Sequence, residues 1–145
     1  MNEPHLFCAI LTIAALDPSI QPNVFDICHD HMRTLVGALI TGANAGVEAV
    51  EALLLLSEWL SHWCASSTVI GKGEEDKSVW MYVGTAVRLG YLLDLDRITP
   101  DHEENVVEAS MNARRKLAWV GMWNALLALD LDLLLMIPSL LHVRS

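Results

Sequence analysis

Asp26-Ile27-Cys28-His29-Asp30-His31 is the densest run of metal-ligating side chains in the sequence. On a helix, Asp26, His29 and Asp30 share one face, because residues three and four apart are neighbours. Carboxylate and imidazole donors placed there, with His31 nearby, suit a divalent cation and would serve a metal-dependent hydrolase. Cys28 falls instead on an apolar stripe, and no second cluster along the chain completes a coordination shell. The run is therefore expected to be the solvated face of a helix, with no metal bound.

Other chemistries are weaker still. Glu48, Glu51 and Glu58 lie on one predicted helix, and paired carboxylates can do acid and base work when burial separates their pKa values; here solvent-facing charge is expected. Gly71-Lys72-Gly73 lacks the further glycine and the Lys-Ser/Thr ending of a phosphate-binding loop, and Ser66, Ser67 and Thr68 have no base assigned to them. Arg114-Arg115-Lys116 is the one run of adjacent cations, but on a helix its members fan out by about 100° per residue, which predicts a solvated turn and no phosphate-binding patch. Trp59, Trp63, Trp80, Trp119 and Trp123 outnumber the other aromatics and could line a ligand pocket between helices; core packing is the expectation. No catalytic, metal or DNA-binding residue is assigned, and the chain is expected to be non-enzymatic.

The balance of 18 acidic against 9 basic residues gives a net charge of −9, a field that repels nucleic-acid phosphate and anionic lipid. With 53% hydrophobic residues the chain has the apolar surface to offset its ordering entropy, which excludes disorder. Cys8, Cys28 and Cys64 are too scattered for a disulfide framework or a zinc-ligand pair and are expected as small core residues. Glu3 precedes the apolar run at Leu6 with no basic flank, so a secretory signal is not expected. Leu117 to Ile137 is apolar, but Asn124, Asp130 and Asp132 interrupt it, and each aspartate would cost about 2.5 to 3.5 kcal/mol at a bilayer centre; no membrane span is expected.

Periodicity near 3.6 residues predicts an all-α fold, a single compact domain over residues 1–145 with about five helices. The first runs from Pro4 to Leu16, carries Leu6, Phe7, Ile10, Ile13 and Ala14, and ends at Asp17-Pro18-Ser19. The second opens at Pro22 and reaches Ile40, with Phe25, Cys28, Met32, Leu35, Val36 and Leu39 on one face and Asp26, His29, Asp30 and Arg33 opposite. After the Thr41 to Gly46 stop, a third helix from Val47 to Trp63, apolar nearly all round, should be central. A small-residue loop from Cys64 to Glu75 leads to a fourth helix ending near Leu93, in which Gly84 and Gly90 predict close packing of another helix. Thr99-Pro100-Asp101 reads as a helix start, with the polar stretch to Ser110 only partly ordered, and the last helix holds Arg114 to Met136. Arg88, flanked by Val87 and Leu89, is expected to lock the fourth helix through a buried or half-buried ion pair.

Val47 to Leu60, with its leucine run Leu53 to Leu56, is followed by Trp80-Met81-Tyr82-Val83-Gly84-Thr85-Ala86-Val87-Arg88-Leu89-Gly90-Tyr91-Leu92-Leu93 and later by Arg114-Arg115-Lys116-Leu117-Ala118-Trp119. In order and spacing these elements resemble the regulatory (middle homology) domain of fungal zinc-cluster transcription factors, over about residues 47–123. The family-motif positions are Trp80, Gly84, Ala86, Val87, Arg88, Leu89, Arg114, Arg115 and Trp119, expected to be structural. The tail over 125–145 departs from the family pattern, which continues with an aspartate-arginine pair and a glycine-containing loop.

The resemblance implies a nuclear regulatory domain acting in transcription, with a dimer partner or a small effector. Zinc and DNA binding belong to a six-cysteine cluster in full-length relatives; three scattered cysteines do not fit that group, and no cofactor is expected in this chain. The rival reading is a helical small-ligand-binding protein with no transcriptional role.

Overall fold

The computed structural model describes residues 2–66, 72–97 and 105–142, with side chains described at 2–60, 77–97 and 105–129. Among these residues the chain is all-α: α1 (Pro4–Ala14), α2 (Pro22–Ile40), α3 (Val47–Ser66), α4 (Lys72–Leu92) and α5 (Val106–His142), with one 3₁₀ turn at Leu95–Arg97. The expected starts at Thr99-Pro100-Asp101 and the loop residues 67–71 lie outside the described residues, as do the side chains of Trp63 and Cys64.

Local chemistry explains most of the ends. Pro4 and Pro22 occupy first-turn positions, where a missing N–H leaves no hydrogen bond unmade. After α1, Asp17 Oδ1 accepts from the Ser19 amide at 2.8 Å and closes the turn that the Asp-Pro-Ser run predicts. α2 ends on a left-handed glycine, Gly42 at φ 97°, with the Ala43 amide on the Ala38 carbonyl and the Gly42 amide on the Leu39 carbonyl, the paired bonds of a Schellman cap. α4 ends in the same backbone region without a glycine, at Asp94 with φ 53°. α5 begins where Asn105 Oδ1 accepts from the Glu108 amide at 2.9 Å, an N-cap inside the polar stretch expected to be only partly ordered. It runs past both the expected end at Met136 and Pro138.

α3 is the central element, packed against α1, α4 and α5. Its Ala49, Val50, Ala52, Leu53 and Leu56 are buried with Met32, Val36 and Leu39 of α2, Tyr82, Ala86 and Leu89 of α4, Leu95 of the 3₁₀ turn and Ala118 of α5. The stripe expected on α2 thus faces inward, and the charged Asp26, Asp30 and Arg33 face out.

The inward face of α1 differs from expectation. His5, Cys8, Ala9 and Thr12 are its buried residues, while Phe7, Ile10 and Leu11 are exposed. The small side chains of Cys8, Ala9 and Thr12 form most of this inward face, and Thr12 satisfies its own hydroxyl by donating to the Cys8 carbonyl at 2.8 Å.

Candidate functional site

Polar chemistry inside the fold gathers where the start of α1, the first turns of α3 and the N-terminal part of α5 meet. Glu48 stands in the first turn of α3 and is only 8% exposed. One carboxylate oxygen meets His5 Nδ1 at 2.5 Å and the other accepts from the Leu6 amide at 2.9 Å. The Leu6 amide is one of the unpaired donors in the first turn of α1, so Glu48 caps a second helix from its own helix start. The solvent-facing position expected for Glu48 is therefore wrong; burial is tolerated because both oxygens are partnered.

One turn further along α3, Glu51 holds Arg114 of α5 through two bonds, Nε to Oε1 at 2.7 Å and Nη2 to Oε2 at 2.6 Å. The third arm, Nη1, reaches Glu3 at 2.7 Å, just before α1. A planar guanidinium with donors on two edges is suited to clamping two carboxylates from different elements. These carboxylates hold the Arg114 proton even more firmly than usual. Arg115 Nη2 donates to the Leu93 carbonyl at 2.6 Å, satisfying an orphan acceptor at the end of α4. Only Lys116 of the basic run is left exposed, so the solvated turn expected for Arg114 and Arg115 is instead a junction linking four segments.

The expected Arg88 lock is not formed. Arg88 is exposed on α4, with no ion pair among the described residues; Arg114 is the cation that ties the helices together. Ala86 and Leu89 of the same motif are core residues, and Val87 is half-buried.

The two glycines of α4 expected to mark close helix packing behave differently. A Cβ on Gly90 would lie 2.9 Å from Met122 Sδ and 3.5 Å from Trp119 Cζ3, which makes it the contact point of α4 with α5. Gly84 has nothing described within 4 Å of that position, so the close approach expected there is absent among the described residues. Gly121 supplies the equivalent contact between α5 and α3, 3.3 Å from Leu54 Cδ1.

Core packing was expected of the tryptophans; it holds for Trp119, which packs against the core, and not for three of the others, while the Trp63 side chain lies outside the described residues. Trp59, Trp80 and Trp123 are exposed, and Trp119 is half-buried. Trp119 stands at the centre of an edge-to-face ladder, 5.3 Å from Tyr91 and 5.9 Å from Trp123 by ring centroids. On α2, His29 stacks on Phe25 at 5.4 Å, and burial followed by the nearby Arg33 lowers its pKa, against the opposing pull of Asp30 and Asp26. The described residues contain no group of three or more His, Cys, Asp or Glu arranged to hold a metal ion. Cys8 and Cys28 are free thiols brought side by side across α1 and α2, with Cys8 Sγ 3.7 Å from the Cys28 carbonyl oxygen; burial raises the Cys8 pKa.

No described helix is long and apolar enough to cross a membrane. Comparison with protein-family models, with curated proteins and with solved structures finds no match. The arrangement defines an all-α domain whose polar interior is an inter-helix junction: every buried side-chain nitrogen or oxygen among the described residues has a partner. Its groups are engaged in holding α1, α3, α4 and α5 in register.

Proposed function

We propose that this chain is a non-enzymatic regulatory domain of the fungal zinc-cluster transcription factor type, working in the nucleus as one part of a larger regulator. The observation that carries the reading is the mutual packing of the three elements on which the resemblance rests. The leucine run of α3 meets α5 at Leu54 and Gly121, the Trp80 to Leu93 segment of α4 meets α5 at Gly90 and Met122, and the Arg114 element closes back on α3 through Glu51. Elements spread over some 75 positions thus pack against one another, as expected of segments that specify a domain, although Trp80 and Arg88 of the motif are themselves exposed.

In this reading DNA contact and zinc belong to a separate cysteine cluster, and a net charge of −9 makes this chain a poor ligand for phosphate. The test is a reporter assay in which the chain is fused between an unrelated DNA-binding domain and an unrelated activation domain. Altered reporter output relative to the direct fusion, restored when Leu53 or Gly90 is disrupted, is expected. Output indifferent to the inserted chain, or tight sequence-specific DNA binding by the chain alone in a mobility-shift assay, would overturn it.

The small-ligand reading has an open depression of about 560 Å³ at the start of α1 to draw on, lined by Asn2, Glu3, Pro4, Leu6, Phe7 and Ile10. None of the tryptophans whose side chains are described lines it, so of the two features behind that reading, the tryptophans and the apolar surplus, only the second is met there, by Leu6, Phe7 and Ile10.

A further inference from the structure

We infer that α5 pairs with the α5 of a second copy of this chain, through a heptad seam along its outer face. Val106, Ala113, Val120 and Leu127 recur every seven residues, and Ser110, Leu117 and Asn124 recur every seven between them, giving the alternating spacing of four and three that defines a coiled-coil stripe. All seven residues are exposed, Leu117 at 72% and Val106 at 87%. The residues that bind α5 to its own domain, Ala118, Met122 and the Arg114 and Arg115 anchors, lie on other faces. α5 is therefore apolar on two sides, and among the described residues only one of them is packed within the domain.

Three properties point to a second copy as the occupant. A seam with a 3.5-residue period is matched by another helix carrying the same period, because knobs and holes must advance at equal pitch. The seam itself bears no charge, so the net −9 of each chain acts only at a distance. Ser110 and Asn124 are the polar members of the stripe, and the Asn124 amide both donates and accepts, so it can hydrogen-bond to the Asn124 of a two-fold partner; a single asparagine at such a position fixes register and favours two strands.

The area is adequate. Residues 106–127 of a helix extend about 33 Å, and covering about two-fifths of the accessible circumference removes about 600 Å² per chain, or about 1,200 Å² in all. That reaches the lower limit for a specific association. The inference stands apart from the transcriptional reading: a dimer without reporter activity would overturn that reading and leave this one intact.

The experiment is sedimentation velocity on the full chain across a concentration series, with Trp123, beside the seam, as a fluorescence reporter. Dimer is expected, strengthening as salt rises from about 50 to about 500 mM because repulsion between like-charged copies is screened. The double substitution Leu117→Glu, Val120→Glu is expected to weaken association by about 100-fold or more while leaving the helical circular dichroism unchanged, since both residues are exposed in the single chain. Asn124→Val is expected to tighten association and to mix dimers with higher oligomers. A chain that stays monomeric at about 100 µM, where association weaker than about 5.5 kcal/mol would go unseen, overturns the inference. So does a dimer that survives the double substitution.

Discussion

Replacing Arg114 by methionine removes a charge but keeps most of the side-chain volume, so the change isolates the clamp from packing. The substitution deletes three charge-assisted hydrogen bonds of 2.6 to 2.7 Å, two to Glu51 and one to Glu3. It also strands two carboxylates that are each about three-quarters buried, Glu51 being 24% and Glu3 27% exposed. Fully buried, such a break would cost about 3 to 5 kcal/mol. Water reaches all three side chains, Arg114 itself being 27% exposed, so screening reduces this to about 2 to 3 kcal/mol. For a chain of 145 residues that corresponds to a drop in Tm of about 6 to 12 °C.

The assay is thermal and urea unfolding followed by circular dichroism, with Glu51→Gln and the double variant completing a mutant cycle. A coupling of about 1.5 kcal/mol between Arg114 and Glu51 is expected. Arg114→Lys should recover less than half of the loss, since an ammonium cannot make the two parallel bonds to Glu51. Arg88→Met, at an exposed position of the neighbouring helix, should change stability by no more than about 0.5 kcal/mol. A coupling below about 0.5 kcal/mol, or equal losses at Arg88 and Arg114, would refute the assignment of the clamp.

Glu48→Ala should destabilise by about 2 to 3 kcal/mol in urea unfolding, because it leaves the His5 ring and the Leu6 amide buried without an acceptor. Gly84→Ala, with open space among the described residues at its Cβ, should gain about 0.5 to 1 kcal/mol from helix propensity. Gly90→Ala should forfeit that gain by displacing Met122 and should shift the Trp119 fluorescence, whereas Gly84→Ala should not. The pH profile of stability should fall at both ends. His29 has a depressed pKa in the folded chain, so the unfolded chain binds the proton first, and stability is lost as pH falls from about 6.5. Cys8 and Tyr82 are raised by burial, so the unfolded chain loses protons first and stability declines as pH rises through the ordinary thiol and phenol values of 9.0 and 10.0. A titration of the urea midpoint checks both limbs; flat behaviour in His29→Phe below pH 6.5 would tie the acid limb to that residue.

Periodicity made the helices legible because it records which residues meet a core, and the α2 stripe of Met32, Val36 and Leu39 is the clearest instance. Turn chemistry was equally readable at Asp17 and Gly42, where the side chain or its absence acts locally. What sequence did not reveal were interactions between distant residues. Nothing local distinguishes Glu48 from Glu58, yet Glu48 is buried against His5, 43 positions away. Arg114 looked like a solvated cation because its partners, Glu51 and Glu3, lie 63 and 111 positions away. α1 misleads for a related reason: its largest apolar residues, Phe7, Ile10 and Leu11, stay exposed, and Cys8, Ala9 and Thr12 are buried in their place. A signal was available in those small residues at helical spacing, and in Asn105 three positions before Glu108.

The clamp and the outer seam are linked by the rotation of a single helix. Arg114 lies three residues before Leu117, which places it about 60° round the helix from the seam, and Arg115 lies on the side that faces the end of α4. Both anchors resist rolling of α5 about its axis, the one motion that would carry Leu117 and Val120 from solvent toward the core. An unanchored α5 would be drawn into that motion, because burying exposed leucine and valine is favourable by about 1.5 to 3 kcal/mol each. Arg114→Met should therefore weaken self-association as well as folding, at temperatures where the chain remains helical, whereas Arg88→Met should leave it unchanged. Sedimentation of the two variants at about 20 °C, well below the expected loss of structure, separates the effects. Equal dimer affinity in Arg114→Met and the unmodified chain would show that core packing at Ala118 and Met122 alone sets the roll of α5.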